Sequence, residues 1–306
     1  MIWILLIIVL ATVAGVYAER RWPDQAGAGS RTSLMVALYG VMPPIVFLNM
    51  AHAHFDAGAG VGLVLGLITV SLVGFCGWVL AVPILKLPRP VAGAVICCVI
   101  TSNTGYLGYP MVLTLMGGSD LSQGVIYDVM VSGTALMLLV FGVGAAFGTR
   151  AGEGFKQRLR SFFLRNPLLY AGVLGLIAPS WLAPDLLVDI SRVMVMLVLP
   201  IGFFAVGAVL AEEERIGAIK LPPRIHKQVG GIIFLRLIVS PTLLFVLSMP
   251  FSGIPRSYYL MAAMPSGLNA MIVGHNYGLD LRTTAEAVVY TTAIVVVGAL
   301  GWALIL

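Results

Sequence analysis

Long apolar runs separated by short polar segments repeat along the whole chain. Ten can be counted, at residues 2–18, 33–51, 59–84, 91–116, 122–147, 167–183, 187–210, 229–249, 257–275 and 284–304. An apolar helix of about 20 residues rises about 30 Å, the thickness of a bilayer's hydrocarbon core. Each run is therefore predicted to be a membrane-spanning helix, the sixth a short one closed by Pro179 and Pro184. Two runs break the pattern. The fourth lies in an uncharged stretch from Pro90 to Ser119, yet it contains Thr101-Ser-Asn-Thr-Gly-Tyr-Leu-Gly-Tyr-Pro-Met111. Asn103, Gly105, Gly108 and Pro110 all disfavour a helix interior, and Pro110, lacking an N–H, is expected to free the carbonyl of Tyr106. The ninth run carries Pro265-Ser-Gly-Leu-Asn269, where Pro265 is expected to free the carbonyl of Met261. Irregular backbone at bilayer depth is stable only when buried in protein or lining a wet cavity.

Composition fixes the class. The 306 residues are 59% apolar and only 10% charged, with a mean hydropathy of +1.01. Such a chain is a polytopic membrane protein and not a soluble domain. The net charge of +5 points to topology and not to nucleic acid, because the basic residues fall in short loops. The loops after spans 1, 3, 5, 7 and 9 hold fifteen of the 18 lysines and arginines. The other loops hold only Arg192 and Arg256, and Arg236 lies within span 8. The positive-inside rule then puts both termini outside the cytoplasmic membrane. The first run has no basic residue before it and Glu19-Arg-Arg21 after it, the reverse of a secretory signal, so it is read as a retained helix. Cys76, Cys97 and Cys98 sit in apolar runs and read as small packing residues.

Weak internal similarity adds an arrangement. Pro44-Ile-Val-Phe47 matches Pro200-Ile-Gly-Phe203, Leu65-Gly-Leu-Ile68 matches Leu235-Arg-Leu-Ile238, and interrupted span 4 then corresponds to interrupted span 9. The reading is two five-span halves of opposite topology, residues 1–147 and 167–306, joined by a basic cytoplasmic linker at 148–166. Interruptions at corresponding places of two halves point to a midplane binding site. If the two spans cross, each half-helix N-terminus offers N–H groups and partial positive charge to an anion.

Candidate substrate-binding residues are Ser102, Asn103, Thr104, Gly105, Tyr106 and Pro110 in span 4, with Pro265, Ser266, Gly267 and Asn269 in span 9; Tyr106 and Tyr109 offer aromatic walls. Ionisable residues in or near spans are candidates for coupling or gating, each beside a plainer reading. Arg236 is expected to snorkel to the cytoplasmic face or to form a structural ion pair. Asp128 is expected near the outer interface, and Glu286 as a favourable contact at a helix start. His275 titrates in the physiological range if it is not merely structural. His52, His54 and Asp56 have alternate-ligand spacing but no fourth ligand and read as a solvated loop, so neither metal nor cofactor is expected. Glu212-Glu-Glu214 with Arg215 reads as the polar end of span 7.

At these residues the sequence resembles a known family. Asn103-Thr-Gly-Tyr-Leu-Gly-Tyr-Pro110, Arg236-Leu-Ile-Val-Ser-Pro241 and Pro265-Ser-Gly-Leu-Asn269 are similar to the auxin efflux carrier (PIN-like) family, whose bacterial members include small-carboxylate and malonate permeases. The resemblance implies two inverted five-helix repeats with helices 4 and 9 crossing beside their prolines and substrate at the crossing. It puts Asn103 and Pro110 on one side of that site and Pro265 and Asn269 on the other. It also implies a scaffold of helices 1, 2, 6 and 7, a moving unit of helices 3–5 and 8–10, elevator-like motion and, in many members, a homodimer. Departures are the short central linker, the absence of an acid–base pair on span 3, and the absence of a carboxylate beside Pro265. The last two speak against the plant-type proton device and a family-type sodium site, although backbone carbonyls alone can hold a sodium ion.

The fold expected is therefore an all-α polytopic membrane protein, with ten transmembrane helices as two inverted five-helix repeats and broken, crossing helices 4 and 9. The function expected is a secondary transporter or facilitator, by preference an exporter, of a small organic anion such as a carboxylate. Its partners are that anion and the lipid bilayer, with no nucleic acid. A channel can be built from the same broken helices. A sensor using the same pocket is expected to carry a soluble output domain, whereas span 10 runs to the end of this sequence. An intramembrane enzyme would need a nucleophile–base pair or a metal cluster within the spans, and neither broken span holds a histidine or carboxylate at compatible spacing to Ser102 or Ser266.

Overall fold

The computed structural model describes residues 2–53, 56–150, 167–215, 217 and 225–305. These residues are helical throughout, apart from short links and one isolated β-bridge. In chain order the helices are α1 (Ile2–Arg21), α2 (Pro23–Ala51), α3 (Ala57–Ile84), α4 (Arg89–Ile100), α5 (Thr104–Met116), α6 (Gly118–Phe147), α7 (Pro167–Ile177), α8 (Asp185–Arg215), α9 (Lys227–Ser248), α10 (Arg256–Ala262), α11 (Asn269–Tyr277) and α12 (Leu281–Ile305). Helix occupies part of every apolar run. Six helices, α2, α3, α6, α8, α9 and α12, are long and apolar enough to cross a bilayer, and α4 and α7 are shorter apolar helices. The chain is an integral membrane protein.

Several boundaries differ from the hydropathy pattern. That pattern predicts a loop over 23–32, but Pro23 at a helix start and the alanines behind it extend α2 ten residues toward the N-terminus. Arg31 is thus helical and not in a loop. Arg192 is likewise inside α8, paired with Asp189 at 2.6 Å. The polar end of span 7 is helix through Arg215, with Glu214 held by Arg20 at 2.6 Å. Asp56 caps α3, its Oδ1 accepting from the N–H of Ala59 at 2.6 Å. No metal-binding cluster occurs among the described residues. His54, most of the linker 148–166, Lys220 and Arg224 lie outside the described residues.

Prolines are absorbed in a recurrent way. A proline removes the N–H that would meet the carbonyl four residues back, and a wide π-turn re-pairs that stretch five residues on. Wide turns span Ala37–Val41 before Pro43 and Pro44, Leu80–Ile84 around Pro83, Thr104–Gly108 before Pro110 and Leu235–Val239 before Pro241. Pro110 therefore does not break its span. The break lies earlier, at Thr101–Asn103.

Helices α1, α2, α7 and α8 pack on one another through glycines. A Cβ on Gly15 of α1 would collide with the carbonyl oxygen of Phe204 in α8, and one on Gly207 of α8 with that of Thr12 in α1. Gly175 of α7 lies as closely on Phe47 of α2. Small residues that let backbones touch are a standard glue between helices in lipid, where no hydrophobic force separates helix from solvent. The remaining helices surround α4, whose residues from Ala92 to Ile100 are all buried.

Candidate functional site

The two interrupted spans meet. α4 ends at Ile100 and α5 begins at Thr104, while α10 ends at Ala262 and α11 begins at Asn269. Between them the two links run antiparallel and pair as a minimal β-bridge, Ser102 opposite Ser266. The N–H of Asn103 donates to the carbonyl of Pro265 at 2.8 Å, and the N–H of Gly267 donates to that of Thr101 at 3.2 Å. Unwound backbone that would be unpaired in one span is thus satisfied by the other. Gly267 is required for this approach, since an added Cβ would stand 2.8 Å from the carbonyl oxygen of Ser102. The carbonyl of Met261, expected to be freed by Pro265, instead accepts from the N–H of Met264 at 3.3 Å.

Around the bridge the predicted residues have different roles. Ser266 is fully buried and its polar atoms are occupied: its hydroxyl donates to the carbonyl of Cys98 at 2.9 Å, and its N–H to Thr291 Oγ1 at 3.1 Å. Asn103 is 4% exposed as a residue; its amide makes no side-chain hydrogen bond among the described residues, and its polar atoms are not among the buried unpartnered ones, so the amide is open at the link. The N–H groups of Thr104, Gly105 and Tyr106 that open α5, and those of Leu268 and Asn269 that open α11, have no backbone acceptor among the described residues. The side chain of Asn269 is exposed. Pro110 and Pro265 are buried. Tyr106 packs its ring on Gly202 of α8, and Gly105 lies against Met42 of α2. The opening of α5 therefore faces α2 and α8.

The four ionisable candidates divide. Asp128 stands in a wide turn of α6 beside the opening of α5. The Thr104 hydroxyl donates to its Oδ1 and the Tyr109 hydroxyl to its Oδ2, the latter at 2.5 Å, with Ser132 Oγ at 3.1 Å from Thr104. Tyr109 is fully buried and so is no aromatic wall. Arg236 does not snorkel, and no acid pairs with it among the described residues. It is 1% exposed and spends its donors on backbone carbonyls, because the wide turn of α9 aims it across the bundle at the ends of α4 and α10. Glu286 is more than a dipole contact: it is buried, with Arg282 Nε at 3.0 Å and His226 Nδ1 at 2.7 Å. His275 is exposed at the far end of α11, away from the crossing, and its carbonyl accepts from Arg150 at 2.8 Å.

Sequence reasoning missed Tyr109 as a hydrogen-bond donor, and Ser132, Thr291 and Ser240 altogether. Ser132 lies one turn beyond Asp128, and Thr291 is a hydroxyl inside an apolar run, so each left a faint polar signal. One further polar link crosses the bundle. Fully buried Asn49 of α2 reaches Ser191 of α8 at 3.1 Å and accepts from Ser122 of α6 at 3.2 Å.

Known proteins give the arrangement its context. The chain is similar to an uncharacterized transporter of Methanocaldococcus jannaschii, 25% identical over 287 residues that make up 88% of each chain. It is also similar to an uncharacterized transporter of Methanothermobacter thermautotrophicus, 24% identical over 217 residues, 67% of this chain and 65% of that one. Residues 2–303 match the family described as membrane transport protein, to which the auxin efflux-type carriers belong, and this chain is a member of that family.

Proposed function

We propose that the protein is a secondary transporter for a small organic anion, a carboxylate by preference, that binds at the crossing of the two interrupted spans. The observation that carries this reading is the open amide of Asn103 at the link, beside five backbone N–H groups at the openings of α5 and α11 that have no backbone acceptor among the described residues. Donors at helix N-termini suit a carboxylate. Asp128, whose oxygens accept from the Thr104 and Tyr109 hydroxyls, opposes an anion at this place while it is ionised, and that is the ground for the second reading below. Ten spans in two inverted halves, with both termini outside the cytoplasmic membrane, fit the helix positions and the loop charges. In this reading α1, α2, α7 and α8 form a scaffold, and the other helices carry the crossing past it. The contacts that must then slide are Tyr106 on Gly202 and Ser122 on Asn49. An inside-negative potential, worth about 2.3 kcal/mol per charge per 100 mV, drives an anion outward and so favours export.

The test is uptake of a panel of labelled carboxylates into proteoliposomes, for the wild type and for Asn103→Ala and Asn269→Ala. Transport of one acid, lost in both variants while both remain folded, is the expected result. Transport untouched by either substitution would remove the crossing as the site. Asp128 favours a second reading of the energetics, in which a proton accompanies the anion. Uptake driven by a pH gradient and lost in Asp128→Asn would select it.

A further inference from the structure

The interrupted spans also create a problem that the substrate does not solve. α4 and α10 both end in the apolar interior, and a helix C-terminus is a cluster of unpaired carbonyls carrying partial negative charge. Two such ends lie side by side here. The carbonyl of Cys97 is taken by Thr101, through its N–H and its hydroxyl at 2.9 Å each, and that of Cys98 by the Ser266 hydroxyl. Val99, Ala262 and Met264 then converge on one group. Arg236 donates from Nε to Met264 at 2.9 Å, from Nη2 to Ala262 at 3.0 Å and from Nη1 to Val99 at 3.4 Å. Ser240 adds its hydroxyl to the carbonyl of Ala262 at 3.1 Å. No carboxylate lies within ion-pair distance of Arg236 among the described residues.

A fully buried guanidinium without an acid is costly unless other negative charge faces it. Here that charge is backbone: the last-turn carbonyls of Val99 in α4 and Ala262 in α10, and the carbonyl of Met264 in the unwound link after α10. The same ligand set, carbonyl oxygens at half-helix C-termini, suits a dehydrated monovalent cation. We propose that this is a monovalent-cation site permanently filled by the side chain of Arg236. The guanidinium is a tethered cation, so the crossing is electrostatically complete without a bound alkali ion. Removing the side chain turns the position into a site for a free cation, guanidinium foremost by shape and donor count.

The experiment needs no knowledge of the transported substrate, so its failure is distinct from failure of the transporter reading. Thermal unfolding of the purified, detergent-solubilised protein is followed in choline chloride, with guanidinium, methylguanidinium, sodium or potassium added at up to about 10 mM. Only a ligand bound to the native state raises Tm saturably at such concentrations. The wild type is expected to respond to none of them. Arg236→Ala is expected to melt earlier and to recover saturably with guanidinium, while urea at the same concentration does nothing. Arg236→Gln separates charge from hydrogen bonding, since it keeps amide donors but no charge. A tethered cation predicts that this variant stays destabilised and responds to an added monovalent cation. Full stability of Arg236→Gln without cations would overturn the proposal, as would a folded Arg236→Ala indifferent to every cation or a wild type stabilised saturably by sodium or potassium. Should Arg236→Ala not fold, the Arg236→Gln and wild-type arms decide alone.

Discussion

The bridge between the two links makes a sharp demand on one atom. In Gly267→Ala the new Cβ would lie 2.8 Å from the carbonyl oxygen of Ser102, 3.0 Å from its carbon and 3.4 Å from the nitrogen of Asn103. All three are backbone atoms, so no side chain can swing away, and the links must part by a few tenths of an ångström. Both bridging hydrogen bonds, at 2.8 and 3.2 Å, then lengthen. Overpacking of this kind costs about 1–3 kcal/mol and each weakened bond up to about 1 kcal/mol. Alanine's smaller unfolded-state entropy returns about 0.4–1 kcal/mol. The net loss is about 2–4 kcal/mol, a fall in Tm of roughly 5–10 °C. Thermal unfolding in detergent reads it, with Gly60→Ala as the control because nothing lies within 4 Å of that added Cβ. A Gly267→Ala protein melting within about 2 °C of the control would refute the claim that the links touch.

Other substitutions test separate parts of the argument. Asn103→Ala breaks no hydrogen bond of its own, so its stability should stay within about 1 kcal/mol of wild type while transport falls; a large drop in Tm would show the amide to be structural. Asp128→Asn keeps one acceptor oxygen where Thr104 and Tyr109 use two, and should lose about 1.5–3 kcal/mol, with Tyr109→Phe losing less, both by thermal unfolding. Glu286→Gln removes the buried carboxylate between Arg282 and His226 and should cost about 1–3 kcal/mol, read by the same assay; an unchanged Tm would mean that the cluster contributes nothing. A disulfide between cysteines placed at Tyr106 and Gly202 should stop transport reversibly, because it ties α5 to α8; full transport by the oxidised protein would exclude sliding at that contact.

Much of this architecture is legible in the sequence because lipid simplifies the code. Apolar length alone places the helices, and residues that disfavour helices in the middle of a run mark where the chain must find a partner. What the pattern misplaces is the position of each break. Pro110 looks like the breaker, yet a proline costs only one hydrogen bond, and a wide turn recovers the stretch. Thr101–Asn103 has no proline, but it faces a second unwound segment that satisfies it, and no single-span rule contains that partner. Arg236 misleads for a similar reason. Snorkelling is the cheapest fate of a lone arginine near a membrane face, and only the positions of two other helix ends make burial cheaper. Asp128 looks interfacial when its depth is counted along its own helix, while its neighbours Thr104 and Tyr109 come from another.

The bridge at Ser102 and Ser266 also turns link length into a specification. Extended backbone alternates its side chains, so adding one residue between Thr101 and Asn103 would leave α4 and α5 intact while sending the Asn103 amide to the opposite face. A helix tolerates such an insertion by rotating its downstream turns, and a surface loop absorbs it. A paired link of three residues can do neither. Insertion scanning should therefore find two intolerant points inside apolar runs, at 101–103 and 263–268, where the number of residues is constrained more tightly than their identity.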